Sequence, residues 1–219
     1  MRKPDDPEVT PRLATRFLRL ALRRAARGTG SHVAFYTRRT AMQPVPDLDA
    51  ILGALPWALV GGLALRAYLP ERATLYVDIL IHKRDAPAAQ KTLLDAGYRF
   101  VGALSIGGFT VQRNDEALLD VLTRSDPWLD EALHNPSRDP AGFPVLGRPF
   151  LILIKLQAGR TQDLADIQRL LAFTPPAERQ TVREVVERYD PGLLEDLDAL
   201  ITLADLEFGS SHYDDPRSG

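Results

Sequence analysis

One segment constrains the fold more than any other: residues 74–81 read TLYVDILI. The run is apolar and rich in β-branched side chains, so it predicts a central strand. Alternate residues of a strand share a face, which places Thr74, Tyr76 and Asp78 on one side. A carboxylate there is informative, because an unpaired charge on an otherwise apolar strand is costly. Either a cation such as nearby Arg72 pairs with Asp78, or the carboxylate serves chemistry. Residues 117–122, ALLDVL, repeat the pattern around Asp120. Two such strands side by side would join Asp78 to Asp120, and paired carboxylates beside a phosphate-binding turn are what Mg²⁺-assisted phosphoryl chemistry requires.

The segments around these strands set the fold class. A short helix is expected over 47–55, then a buried strand, WALV, over 57–60 that runs into Gly61-Gly62. Residues 63–69 predict a helix stopped by Pro70, and 86–96 a second one ended by Gly97. Strands are expected at 98–103, 108–112 and 117–122. This order predicts an α+β (α/β) protein with a mixed sheet flanked by helices, not a doubly wound one. Beyond Pro127 the pattern turns helical, over 150–158, 163–173, 176–189 and 193–208. The chain therefore divides into an N-terminal lead-in (1–45), an α/β core (46–147) and a helical C-terminal region (148–219).

Charge is distributed unevenly. Residues 1–40 carry ten Arg or Lys against three Asp or Glu, although the whole chain has a net charge of −2. Residues 11–27, from Pro11 to Arg27, predict a helix with Leu13, Phe17, Leu18 and Leu22 near one face. Arg12, Arg16, Arg19, Arg23 and Arg27 follow the other. Its arginines are either a solvated face or a stripe for RNA or phosphate. Cysteine is absent, which excludes a disulfide scaffold, thiolate metal sites and cysteine catalysis. The four histidines are scattered without metal-ligand spacing. Apolar runs fall far short of the ~20 residues of a membrane helix and no signal core opens the chain, so a cytoplasmic protein is expected.

Two further features bear on chemistry. A strand ending in Gly61-Gly62 and opening a helix lets a phosphate approach backbone N–H groups with no side chain in the way. A tight strand–helix connection would use the same glycines. Lys155 lies in the apolar run PFLILIKLQAG, where a buried ammonium needs an anion. If the helix continued past Gly159, Asp163 and Asp166 would share the face of Lys155. Lys155 then either pairs with them or meets a nucleotide phosphate.

Taken in order, ALVGGLALRAY, RAT…VDILI, LLDAGYRF, LLDVLT and LILIKLQAGRTQDLADIQRLL resemble the nucleotidyltransferase superfamily. The likeness is to minimal and AbiEii-type members, including nucleotidyltransferase toxins of toxin–antitoxin pairs, and it spans about residues 57–171. It implies a nucleoside triphosphate substrate with Mg²⁺, and transfer of a nucleoside monophosphate to an RNA, protein or small-molecule hydroxyl. By position, Gly61, Gly62 and Thr74 match the phosphate-binding turn and strand, and Asp78 and Asp120 match the second and third metal-binding carboxylates. Lys155 matches a lysine at the nucleotide. The chain departs from the pattern R-x-T-x-D-x-D at its first carboxylate, which is Tyr76. A phenol with a pKa near ~10 is a poor Mg²⁺ ligand at neutral pH. The departure opens an alternative, a catalytically impaired nucleotide- or RNA-binding module, or one partner of a toxin–antitoxin-like pair.

Overall fold

A computed structural model describes residues 45–69, 76–114 and 116–208. The helix expected over 11–27, and Arg72 and Thr74, lie outside the described residues. The described residues fall into two compact units, one ending at Gly147 and one beginning at Arg148.

The first unit is built on a seven-stranded mixed sheet. In chain order the elements are α1 (Leu48–Leu52), β1 (Trp57–Leu59), a 3₁₀ turn (Leu63–Ala67), β2 (Tyr76–His82) and a second 3₁₀ turn (Lys83–Asp85). Then come α2 (Ala86–Asp95), β3 (Arg99–Ala103), β4 (Gly108–Gln112), β5 (Leu118–Arg124) and α3 (Leu129–His134). The short strands β6 (Ser137–Arg138) and β7 (Pro144–Val145) complete it. Their spatial order is β3-β4-β5-β2-β1-β7-β6. β2 therefore lies at the centre, antiparallel to β1 and parallel to β5. Its position follows from its composition: Ile79, Leu80 and Ile81 are each 0% exposed. Full burial of such a side chain is worth about 1.5–3 kcal/mol, which no edge position could supply. Leu59, Val111, Leu119 and Val121 extend this core through the neighbouring strands, and Ala89 and Leu93 of α2 are buried with it.

The second unit is helical: α4 (Arg148–Ala158), α5 (Thr161–Ala172), α6 (Pro176–Tyr189), a 3₁₀ turn (Pro191–Leu193) and α7 (Leu194–Phe208). Leu151, Leu156, Leu164, Ile167, Leu171, Val182, Val186, Leu197 and Leu200 form its interior, recurring at helical spacing. α4 does not continue into α5. Gly159 takes φ +61, a left-handed conformation that suits glycine and ends the helix. Among the described residues no helix is long and apolar enough to cross a membrane.

Three local expectations differ. The segment after Gly61-Gly62 is a five-residue 3₁₀ turn instead of an α-helix, a geometry common in short connectors, with Leu63, Ala64 and Leu65 buried. The strand expected over 117–122 runs two residues further, to Arg124. α3 and the pair β6/β7 were not anticipated, being six, two and two residues long.

Candidate functional site

A single row of residues crosses the sheet at one register. Asp78 of β2 pairs with Asp120 of β5, and Asp120 pairs with Thr110 of β4. Thr110 in turn faces Gly102 of β3. On the opposite side of Asp78, Val60 donates its N–H to the Asp78 carbonyl at 2.9 Å, extending the β1 pairing by one residue. Gly61 follows at once. The two carboxylates expected to meet are therefore register partners on neighbouring parallel strands, and residues at one register share a face of the pleat. Both are half-buried, close enough to the core to be desolvated and exposed enough to meet a ligand.

Gly61 is fitted to Asp78. A Cβ built on Gly61 would lie 2.8 Å from Asp78 Cγ and 3.1 Å from its Cβ. The carboxylate therefore occupies the space a side chain at residue 61 would need. The backbone of Gly61 is also left-handed, with φ +64. Glycine meets both demands at once. Gly62 takes ordinary right-handed angles (φ −72, ψ −34) and opens the 3₁₀ turn.

Asp120 has a defined environment. Thr110 Oγ1 donates to Asp120 Oδ1 at 2.6 Å, and Oδ2 accepts no hydrogen bond among the described residues. Burial pushes the Asp120 carboxyl above its ordinary value, and the threonine hydrogen bond draws it partly back. Thr110 was missed in the sequence. The signal was the hairpin itself: setting 108–112 against 118–122 through the glycines at 107 and 108 puts a hydroxyl opposite Asp120.

Tyr76 lies two residues before Asp78, on the same face of β2, and pairs with Leu118. The row beside the carboxylates thus carries an aromatic ring and an aliphatic side chain. Among the described residues no group of three or more His, Cys, Asp or Glu is placed to hold a metal ion.

The turn after Gly62 is tied down at two points. Arg66 makes a 2.5 Å ion pair with the fully buried Asp139, which also accepts from the backbone N–H groups of Ala141 and Phe143. Tyr68 donates its hydroxyl to the Leu146 carbonyl at 3.0 Å. Both anchors lie on the β6–β7 segment or just beyond it, so that segment holds the glycine turn in place.

Lys155 belongs to the helical unit. Its Nζ donates to Asp163 Oδ1 at 3.1 Å and to Asp166 Oδ2 at 2.9 Å, and all three side chains are buried. Arg160 adds a 2.6 Å contact to Asp163 Oδ2. Burial alone would raise the Asp163 carboxyl, but the Arg160 hydrogen bond and the charges of Lys155 and Arg160 hold it below its ordinary value. The ion pairs are made across the break at Gly159, not along one continuous helix. Of the sequence candidates, the sheet brings together Gly61, Gly62, Asp78 and Asp120, while Lys155 lies in the helical unit.

No protein-family model and no curated protein matches the chain. Among solved structures it is similar to the lincosamide antibiotic adenylyltransferase LnuA, lincomycin-bound. That likeness has 15% identity and a TM-score of 0.45, and covers 58% of this chain and 92% of that one. It is also similar to the antibiotic-resistance factor ANT(2'')-Ia in solution, at 19% identity and a TM-score of 0.40, over 70% of this chain and 86% of that one. ANT(2'')-Ia in complex with adenylyl-2''-tobramycin gives 19% identity and a TM-score of 0.41, over 74% and 97%.

Proposed function

We propose that this chain is a nucleotidyltransferase of the minimal or AbiEii-like kind, which moves a nucleoside monophosphate from an Mg²⁺-bound nucleoside triphosphate to an acceptor hydroxyl. One observation carries the reading: Asp78 and Asp120 are register partners on adjacent parallel strands, with the Gly61 backbone fitted against the Asp78 carboxylate. Mg²⁺ is bound through one or two carboxylates completed by phosphate and water oxygens, and this pair fits that donor set for one cation. When bound, the ion offsets charge developing on the phosphates.

The chain's own groups divide the remaining work. Asp78 and Asp120 hold the cation. The glycine turn at 61–62 lets phosphate oxygens approach backbone N–H groups closely. The acceptor oxygen forms a bond to the α-phosphorus, the bond from that phosphorus to the bridging oxygen breaks, and pyrophosphate leaves. The acceptor's proton passes to Asp120, which acts in its ionised form both toward the cation and as the proton's acceptor. Thr74 is proposed as a further nucleotide contact, whereas Lys155, expected at the nucleotide, is buried and ion-paired to Asp163 and Asp166 within the helical unit. The acceptor is an RNA, a protein or a small-molecule hydroxyl, with the arginine-rich segment 11–27 as the proposed RNA contact.

A specific feature favours a second reading. Tyr76 stands where the resemblance calls for a carboxylate, on the Asp78 face of β2. A chain so altered could bind nucleotide or RNA without turnover, as a pseudoenzyme or as one partner of a toxin–antitoxin-like pair. Transfer of α-labelled triphosphates, measured beside a Tyr76→Asp variant, separates the two. Label transfer by the native chain supports the enzyme. Transfer by Tyr76→Asp alone supports the binding module.

A further inference from the structure

Thr110 carries an inference about how the proposed cation site is set. It lies on β4, directly opposite Asp120, and its hydroxyl donates to Asp120 Oδ1 at 2.6 Å. On its other side stands Gly102, so no side chain on β3 competes for that hydroxyl at this register. A β-branched residue on a strand has a restricted χ1, so the donor is held stiffly. This engages one oxygen of Asp120 and leaves Oδ2, which accepts no hydrogen bond among the described residues. A carboxylate swinging freely about χ2 would meet a cation in many poses; one pinned at Oδ1 presents Oδ2 in a single pose. Partners of this kind behind a metal ligand commonly change metal affinity or activity 10–100-fold when lost.

We infer that Thr110 is a positioning residue that fixes the Asp120 carboxylate so that Oδ2 is the oxygen offered to the cation. The inference rests on the proposed role of Asp78 and Asp120 as cation ligands.

Binding of Mn²⁺ alone, followed by electron paramagnetic resonance on the full chain, tests it without reference to turnover. The native chain is compared with Thr110→Val, Thr110→Ala, Thr110→Ser and Asp120→Asn, each checked for folding by its thermal transition. The valine variant keeps the branched shape and strand preference of threonine and removes the hydroxyl. The expected result is a Kd for Mn²⁺ about 10–100-fold higher in Thr110→Val and Thr110→Ala, with Thr110→Ser close to the native chain. A merely structural threonine would change melting without this serine rescue of affinity. If Thr110→Val binds Mn²⁺ like the native chain while Asp120→Asn does not, the inference fails and the cation site stands. If the native chain and Asp120→Asn bind Mn²⁺ equally, or neither binds, the cation site fails and takes the inference with it.

Discussion

Replacing Gly61 with alanine probes the site at its most constrained point. The new Cβ would lie 2.8 Å from Asp78 Cγ, inside the closest approach that real side chains make. The left-handed φ of +64 adds a second cost. A non-glycine residue in that conformation costs roughly 1–2 kcal/mol, which for a chain of this size corresponds to a loss of about 2–8 °C in Tm. The protein should therefore still fold. The steric conflict is relieved most cheaply by rotating the Asp78 carboxylate away, since its neighbours on the backbone are fixed by the sheet. A displacement of about 1 Å at a reacting centre costs on the order of 10²-fold in rate. The assay is transfer of α-labelled triphosphate together with Mn²⁺ affinity, each read beside the thermal transition. Gly62→Ala is the control: its right-handed angles accommodate alanine without backbone strain, so its Tm should hold while the KM for the triphosphate rises. A folded Gly61→Ala protein with native Mn²⁺ affinity would refute the claim that Asp78 is placed by this glycine to hold a cation.

Other outcomes follow from the same geometry. Asp78→Asn and Asp120→Asn should each lower transfer about 10²–10³-fold. Asp120→Asn should melt no lower than the native chain at pH 7, because burial raises that carboxyl and its ionised form opposes folding above the ordinary carboxylate range. Lys155→Ala leaves Asp166 and part of Asp163 without their buried cation, and should cost about 3–5 kcal/mol in denaturant titration. Asp163 is held below its ordinary value, so its contribution is complete above pH ~4 and is lost as pH falls through the depressed value. Thermal transitions between pH 6 and pH 2 should show that loss, and Arg160→Gln should make the loss smaller and complete at a higher pH.

The sequence made the centre of the fold legible because the strongest signals lay there. TLYVDILI and ALLDVL announce buried strands, and an aspartate in each is conspicuous against apolar neighbours. That the two aspartates meet at one register is a consequence of β2 and β5 lying side by side, which strand pattern suggests but does not dictate. The fit of Gly61 to Asp78 was not legible, since it depends on where β1 ends relative to β2. Thr110 escaped notice because a threonine in a strand is unremarkable until its cross-strand partner is known. The two-residue strands β6 and β7 are too short for periodicity to register, yet their segment anchors Arg66 and Tyr68 and so supports the glycine turn. For Lys155 the sequence left two partners open, and the structure gives it Asp163 and Asp166 through the packing of α4 on α5.

Transfer by the native chain is the most direct test of the central claim. Purified protein is incubated with Mg²⁺ and each α-labelled triphosphate, offered total RNA, protein and a panel of small hydroxyl compounds, beside Asp78→Asn and Tyr76→Asp. The account predicts label transfer by the native chain that is lost in Asp78→Asn. Transfer that persists in Asp78→Asn, or that appears only when Tyr76 is replaced by aspartate, would contradict it.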